Sequence, residues 1–168
     1  MSIAQWIGLT LAALALTAAA YQLISLAAVL RFFSAPVSIA NGAEAVTLLK
    51  PLHGDEPRLA ENLATFLATD YAGPVQLVCG VGAPQDSAIG AIEALRKAHS
   101  ASDIALCTGP RAPGTNAKVG NLIAMMASAK HDILVLSDSD MVVARDYLPR
   151  VVGALAQPGV GAVSCLYA

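Results

Sequence analysis

The sequence predicts an α/β protein with a mostly parallel sheet, preceded by one apolar helix that could cross a membrane. Three observations lead to this prediction. Residues 3–30 contain no charged side chain. After them, short apolar runs alternate with amphipathic segments of helix length. The apolar runs lack a polar face, which is typical of parallel strands that helices cover on both sides.

The composition supports a membrane-associated protein with one domain outside the membrane. The chain has 168 residues, of which 56% are hydrophobic and only 13% charged, which is more apolar than an ordinary soluble domain. The net charge of −2 gives no basic surface for nucleic acid. Cys79, Cys107 and Cys165 form no C-x-x-C pair, so we expect buried thiols rather than disulfides or zinc ligands.

The N-terminal segment is predicted to be a transmembrane helix at 1–31. A helix over residues 3–30 would span roughly 42 Å, more than the roughly 30 Å of a bilayer's hydrocarbon core. A cleaved signal peptide is the alternative, because residues 17–21 read TAAAY, but no basic region precedes Ile3. Arg31 follows the apolar run, which by the positive-inside rule places the next domain in the cytoplasm.

A linker is predicted at 32–43 and an α/β domain at 44–168. Strands are expected at 45–50, 75–80, 103–107 and 133–137, with a further strand near 160–166. Helices are expected from Pro57, at 86–99 with Asp86 as N-cap, at 116–130 with Asn116 as N-cap, and near 146–156, and a loop at 109–114. Right-handed crossovers would bring the carboxyl ends of the strands to one edge, where ligands bind in open α/β sheets.

Asp138 and Asp140 form an Asp-x-Asp directly after the fourth predicted strand. Two carboxylates this close repel each other unless a cation stands between them. Mg²⁺ or Mn²⁺ takes oxygen ligands and commonly shares them with substrate phosphates. The alternative is an ordinary turn or helix cap, which aspartate also favours.

Four further polar residues occupy predicted strand ends or helix starts. Asp86 is either a simple N-cap or a carboxylate that accepts hydrogen bonds from a nucleotide base or ribose. Lys118 opposes the helix dipole in the first turn of its helix, which is reasonable if an anion binds there. The alternative readings are a surface lysine for Lys118, a surface amide for Asn121 and an ordinary helix-start acid for Glu56. The sequence shows no G-x-G-x-x-G, P-loop or legible Ser-His-Asp arrangement.

Together these residues resemble family 2-type glycosyltransferases with the GT-A fold, in the ceramide glucosyltransferase-like and hopanoid-associated branch. The matching stretches are 48–66, 84–89, 114–123 and 135–141. The resemblance implies a Rossmann-like nucleotide-binding half that holds a UDP-hexose. It also implies a lipid hydroxyl, of ceramide or hopanoid type, as the acceptor at the cytoplasmic face of the membrane.

The resemblance assigns roles to individual residues. The family's first conserved aspartate matches Asp86, and the second matches Asp138. Asp140 completes a metal-binding pair for Mg²⁺ or Mn²⁺. Lys118 matches the lysine of an Asn-x-Lys-x-x-Asn-Leu motif. The expected donor-binding residues are therefore Pro51, Glu56, Asp86, Lys118, Asn121 and Asp138, and the expected metal ligands are Asp138 and Asp140.

The chain also departs from the family's pattern. Residues 85–88 read Gln-Asp-Ser-Ala where the family has an Asp-Asp-Pro-Ala-like stretch. The expected general base and a Gln/Arg-x-x-Arg-Trp motif would lie beyond Ala168, and the one Trp is Trp6. We therefore expect no catalytic base in this chain, which would be a fragment or a truncated product without turnover of its own. A non-catalytic nucleotide-binding module and a polysaccharide synthase of the same superfamily are the alternatives.

Overall fold

A computed structural model describes residues 1–34, 36, 39, 43–54, 56–109 and 115–165. The chain divides into two compact units, Met1–Val37 and Ser38–Ala168. Much of the predicted linker at 32–43 and of the predicted loop at 109–114 lies outside the described residues.

The first unit is one helix, α1 (Ile3–Ser34), which buries none of its residues. It continues three residues past the boundary predicted at 31, and its 32 residues would span about 48 Å. The hydroxyls of Thr10 and Thr17 donate to the carbonyls of Trp6 and Ala13, so both are satisfied inside the helix. By length and composition α1 can cross a membrane.

The second unit contains four parallel strands in the order β3-β2-β1-β4. The strands are β1 (Val46–Leu52), β2 (Val75–Val81), β3 (Asp103–Thr108) and β4 (Ile133–Leu136), and the helices are α2 (Leu59–Leu67), α3 (Ala88–Ala98), α4 (Ala117–Met126) and α5 (Tyr147–Leu155). The α/β class with a parallel sheet is confirmed. Helix α4 ends four residues before the predicted end at 130.

Helices cover both faces of the central strands. On one face, α2, α3 and α5 form the larger core, with buried residues such as Leu63, Phe66, Ile92 and Leu148. On the other face, Met125 of α4 packs against Leu49 and Val78 in a smaller cluster. Strands β1 and β2 are buried along nearly their whole length, whereas β3 and β4 are the half-exposed edges.

The predicted fifth strand near 160–166 is wrong for the residues that the structure describes there. Residues 160–165 are exposed and form no strand. An apolar run becomes a strand only where its backbone groups find a partner, and none of the described strands pairs with these residues. Cys165 is consequently exposed rather than buried, whereas Cys79 is buried as expected.

A buried polar network holds the start of β4 in register with the two central strands. The Gln76 side chain accepts from the Thr47 hydroxyl and from Lys130 N, both at 2.9 Å, and donates to Ser128 O at 2.9 Å. His131 N donates to Thr47 Oγ1 at 3.2 Å. Because Gln76 is only 1% exposed, water cannot replace these hydrogen bonds.

We predict that Gln76→Leu destabilises the domain by about 3 kcal/mol, because it leaves buried donors and an acceptor without partners. The Lys130 amide should also exchange its hydrogen faster than in the wild type. Thermal denaturation and hydrogen exchange of the full chain in detergent measure the two effects. Gln157→Leu, at an exposed position, is the control, and equal stability of the two variants would contradict the prediction.

Candidate functional site

A cleft of about 560 Å³ opens where β1 and β4 end. Strands β2 and β3 lie on one side of β1, and β4 returns to its other side, so the strand order reverses between β1 and β4. In open α/β sheets such a reversal creates a ligand-binding crevice at the carboxyl ends of the strands. The cleft is lined by Pro51, Leu52, His53, Glu56, Ala117, Lys118, Asn121, Asp138, Ser139 and Asp140.

The cleft brings together five of the six predicted donor-binding residues and both predicted metal ligands. Pro51 and Glu56 come from the end of β1, Lys118 and Asn121 from α4, and Asp138 with Asp140 from the turn after β4. Asp86 is not among the lining residues. Its side chain is 6% exposed, and one carboxylate oxygen accepts from Gly54 N at 2.9 Å and Ala88 N at 3.0 Å.

Asp86 therefore acts on the cleft through the backbone that its hydrogen bonds hold in place. Its bonds tie the loop after β1 to the start of α3, but the N-cap of that helix is Ser87, one residue after the predicted position. Its second carboxylate oxygen lies 3.6 Å from His53 Nδ1, and His53 is one of the residues that line the cleft.

Strand β1 runs two residues further than its pattern predicts, and this extension includes Pro51. Proline lacks an N–H and is rare in central strands. The main-chain groups of successive residues in a strand point alternately to its two sides. Leu49 O accepts from Ser137 N on the β4 side, so the main-chain nitrogen of Pro51 also points to that side. Pairing with β4 has already ended there, at Leu49 and Leu136, so no hydrogen bond is lost.

Lys50 therefore lies inside a strand and is 1% exposed, although it was predicted to be the last residue of the strand at 45–50. Its Nζ donates to Ser137 Oγ at 3.0 Å and to Asp138 O at 2.8 Å. The same nitrogen lies 3.4 Å from the centre of the Phe66 ring, a cation–π distance. Lys50, Ser137 and Ser139 were not among the residues predicted for the site. The available signal was a lysine that ends an otherwise apolar strand.

Burial lowers the pKa of Lys50 from 10.5 to about 7. The desolvation of the charged form is the largest cause. Interactions with Cys79, Asp138, Asp140 and Glu56 raise the pKa of Lys50 and partly offset this effect. Lys50 thus lies beneath an acidic cleft, where burial makes its charged form unfavourable.

Glu56 faces this cleft with one oxygen bonded and one unbonded. Its Oε1 accepts from Ser139 Oγ at 2.7 Å. Its Oε2 is buried and has no hydrogen-bond partner among the residues that the structure describes. A buried carboxylate oxygen without a donor is costly, and at the wall of a cleft it suits a ligand that brings a hydroxyl or N–H group.

Lys118 and Asp138 form an ion pair across the cleft. As predicted, Asn116 caps α4, and its side chain accepts from the amides of Lys118 and Val119. Because these two N–H groups are occupied, the side chain of Lys118 is the group that α4 offers to an anion. Asn121 is buried rather than a surface amide, and its Nδ2 donates to Gly80 O at 2.8 Å.

The acidic residues suit a hard divalent cation that a ligand helps to coordinate. Among the described residues, no group of three or more His, Cys, Asp or Glu side chains converges on one point. Asp138 and Asp140 would therefore supply a minority of the ligands, and the rest would be phosphate oxygens or water, as is common for Mg²⁺.

Lys50 should give the wild type a pH-dependent stability that Lys50→Met lacks. Between pH 7 and 10.5 the unfolded chain keeps a proton on Lys50 that the folded chain has lost. Stability therefore rises with pH in this window, by at most about 1.4 kcal/mol per unit. Denaturation experiments in buffer that contains EDTA, at pH 7, 8 and 9, measure the difference in the free energy of unfolding between wild type and variant. Parallel pH curves would contradict the prediction.

The chain is similar in sequence to known glycosyltransferases. The family model of glycosyl transferase family 21 matches residues 10–168. Ceramide glucosyltransferase from Komagataella phaffii is 33% identical over 67% of this chain and 23% of its own length. Ceramide glucosyltransferase 3 from Caenorhabditis elegans is 29% identical over 60% of this chain and 22% of its own.

A solved structure extends the comparison to the fold. The mannosyltransferase PcManGT from Pyrobaculum calidifontis, in complex with GDP-Man and Mn²⁺, is 28% identical with a TM-score of 0.66. The match covers 92% of this chain and 46% of that protein, and it confirms the predicted GT-A fold. The chain thus spans less than a quarter of the length of these curated relatives. It belongs to glycosyl transferase family 21.

Proposed function

We propose that this chain is the donor-binding part of a membrane-bound glycosyltransferase that moves a hexose from a UDP-sugar to a lipid hydroxyl. The observation that carries the proposal is the meeting of Asp138, Asp140 and Lys118 in the crevice between β1 and β4. Carboxylates for a metal and a lysine for an anion are what a nucleoside diphosphate requires. Membership of family 21 supports the reaction class.

Asp138 and Asp140 are the proposed ligands of Mg²⁺ or Mn²⁺. A bound divalent ion would neutralise charge on the departing diphosphate. The Mn²⁺ bound by PcManGT supports a divalent ion here. In the absence of the ion, the Lys118 ammonium balances the Asp138 carboxylate.

The nucleoside is proposed to lie against the loop after β1. Pro51 and Glu56 line that side of the cleft, and the unpartnered Oε2 of Glu56 can accept from a hydroxyl or an N–H group. Asn121 lines the opposite side. Asp86 has one oxygen engaged by two backbone amides, so its other oxygen is the one proposed to face the nucleoside.

The acceptor is proposed to be a lipid hydroxyl of ceramide or hopanoid type. The ceramide glucosyltransferases among the relatives support a lipid. The apolar α1 supports a location at a membrane, and Arg31 after its apolar run supports a cytoplasmic domain. Each carboxylate in the cleft is proposed to bind the donor or the metal, so we assign no described residue as the base.

Asp138→Ala and Asp140→Ala should each lower the Mn²⁺-dependent affinity for UDP about tenfold or more, because each removes an oxygen ligand. Calorimetric titration of the full chain with UDP, with and without Mn²⁺, measures this. Asp132→Ala, at the opposite end of β4, is the matched control. GDP serves as the comparison nucleotide. UDP affinity that is unaffected by both substitutions would contradict the metal assignment.

Lys118→Met should change two affinities in opposite directions. Mn²⁺ alone should bind up to about fivefold tighter, because Asp138 loses an ion pair worth roughly 1 kcal/mol or less. UDP at saturating Mn²⁺ should bind about tenfold more weakly, because the phosphate loses a charge-assisted hydrogen bond. Lys97→Met in α3 makes the same change in net charge at an exposed position. A fall in both affinities would contradict the proposed exchange of partners.

A further inference from the structure

We infer that Lys50 is a positioning residue. Its amine ties β1 to Ser137 and Asp138, the first residues of the Ser137–Asp140 turn, and so holds the Asp138 carboxylate toward the cleft. The metal-binding consequence rests on the proposed function, whereas the tether itself rests on geometry alone. Lys50 does not line the cleft and acts on a ligand only through the turn.

The tether stands where the main-chain pairing ends. Ser137 N donates to Leu49 O at 3.3 Å, directly after the last β1–β4 pair at Leu49 and Leu136. Further along the turn, the described hydrogen bonds come from side chains. The bond from Lys50 to Asp138 O is one of them, and it holds the main chain itself. The bonds from Lys118 to Asp138 and from Ser139 to Glu56 hold side chains.

The anchor of the tether is rigid. Lys50 extends into the larger core, where its amine lies over the fully buried Phe66 ring. Phe66 in turn packs edge-on against Tyr147, with ring centres 5.6 Å apart. The position of the amine is therefore determined by β1, α2 and α5 together, and the two oxygens of Ser137 and Asp138 are located from this fixed point.

Fold stability alone does not account for a lysine at this position. The neighbours Leu48 and Leu52 on the same face of β1 are buried and apolar. A buried ammonium is destabilising compared with an apolar chain of similar length, such as methionine. Among the described residues, no carboxylate lies within ion-pair distance of Nζ. The hydrogen bonds to the turn and the contact of the amine with the Phe66 ring are the interactions that a lysine adds here.

The tether does not depend on the protonation state of Lys50. An ammonium has three N–H groups, and a neutral amine keeps two. The turn presents two acceptors, Ser137 Oγ and Asp138 O. Both forms of the amine can therefore hold the turn in the same place.

The test compares Lys50→Met with wild type in the full chain in detergent. We expect Mn²⁺ affinity in the presence of UDP to fall about tenfold or more, the range seen when groups that orient metal ligands are removed. We expect the melting temperature to stay equal or rise, and the amides of Ser139 and Asp140 to exchange hydrogen faster without metal. Lys130→Met, which breaks a surface ion pair with Asp103, is the control. It should leave the melting temperature nearly unchanged, and it should change neither the Mn²⁺ affinity nor the exchange rates by more than about twofold.

Ser137→Ala provides a second, milder test, because it removes the bond from Lys50 to Ser137 Oγ, together with the 3.4 Å bond from Ser137 Oγ to Asp138 O, and fills no new space. It should lower Mn²⁺ affinity about threefold and speed the same amide exchange, and it decides the question if Lys50→Met does not fold. Folded variants with wild-type affinity and exchange would overturn the inference. If wild type binds neither Mn²⁺ nor UDP, the proposed function fails, and the metal-free exchange rates still decide whether the tether exists.

Discussion

The structure of the site depends on where β4 stops pairing with β1. The two strands are in register from Val46 with Ile133 to Leu49 with Leu136, and then they separate. Strand β1 continues along β2 as far as Leu52, while the chain after β4 turns away as Ser137–Asp140. The crevice between them is a direct consequence of this separation. Pro51 fits its wall because it lacks the N–H that a continuing partner strand would require.

The segments that follow β1 and β4 bring together charged side chains, each of which would be unfavourable there without the others. Glu56, Asp138 and Asp140 line the cleft, with Lys118 across from them and Lys50 beneath. Each lysine is held in place mainly by oxygens of the Ser137–Asp138 segment. The two cations have different roles, since Lys118 is exposed enough to change partners whereas Lys50 is enclosed. The proposed binding of a metal and an anion would then require no large rearrangement of the backbone.

The sequence was sufficient for those features that depend on local pattern. Four strands, four helices, the Asn116 cap and the position of the Asp-x-Asp at a strand end all follow from periodicity and residue preference. Lys50 could not be recognised in the same way, because its burial requires Phe66 from α2 and the turn after β4. The strand expected near 160–166 fails for a similar reason, because an apolar run does not reveal whether a partner strand is available. Long-range contacts thus account for the missed residues and for the wrong strand.

Gly80 contributes to the site through packing, although it does not belong to a glycine-rich phosphate-binding motif. The stretch at 80–85 lacks the glycine pattern of a phosphate-binding loop, and the structure gives Gly80 a packing role instead. A Cβ at Gly80 would collide with the side chain of Met125 and lie 2.8 Å from Asn121 Oδ1. The bare backbone lets α4 approach β2 closely, and Asn121 secures that approach through Gly80 O. Because Lys118 is one turn before Asn121 on the same helix, this close packing determines how far Lys118 lies from Asp138. The glycine that sequence patterns associate with phosphate binding therefore contributes to the proposed anion site through the placement of a lysine.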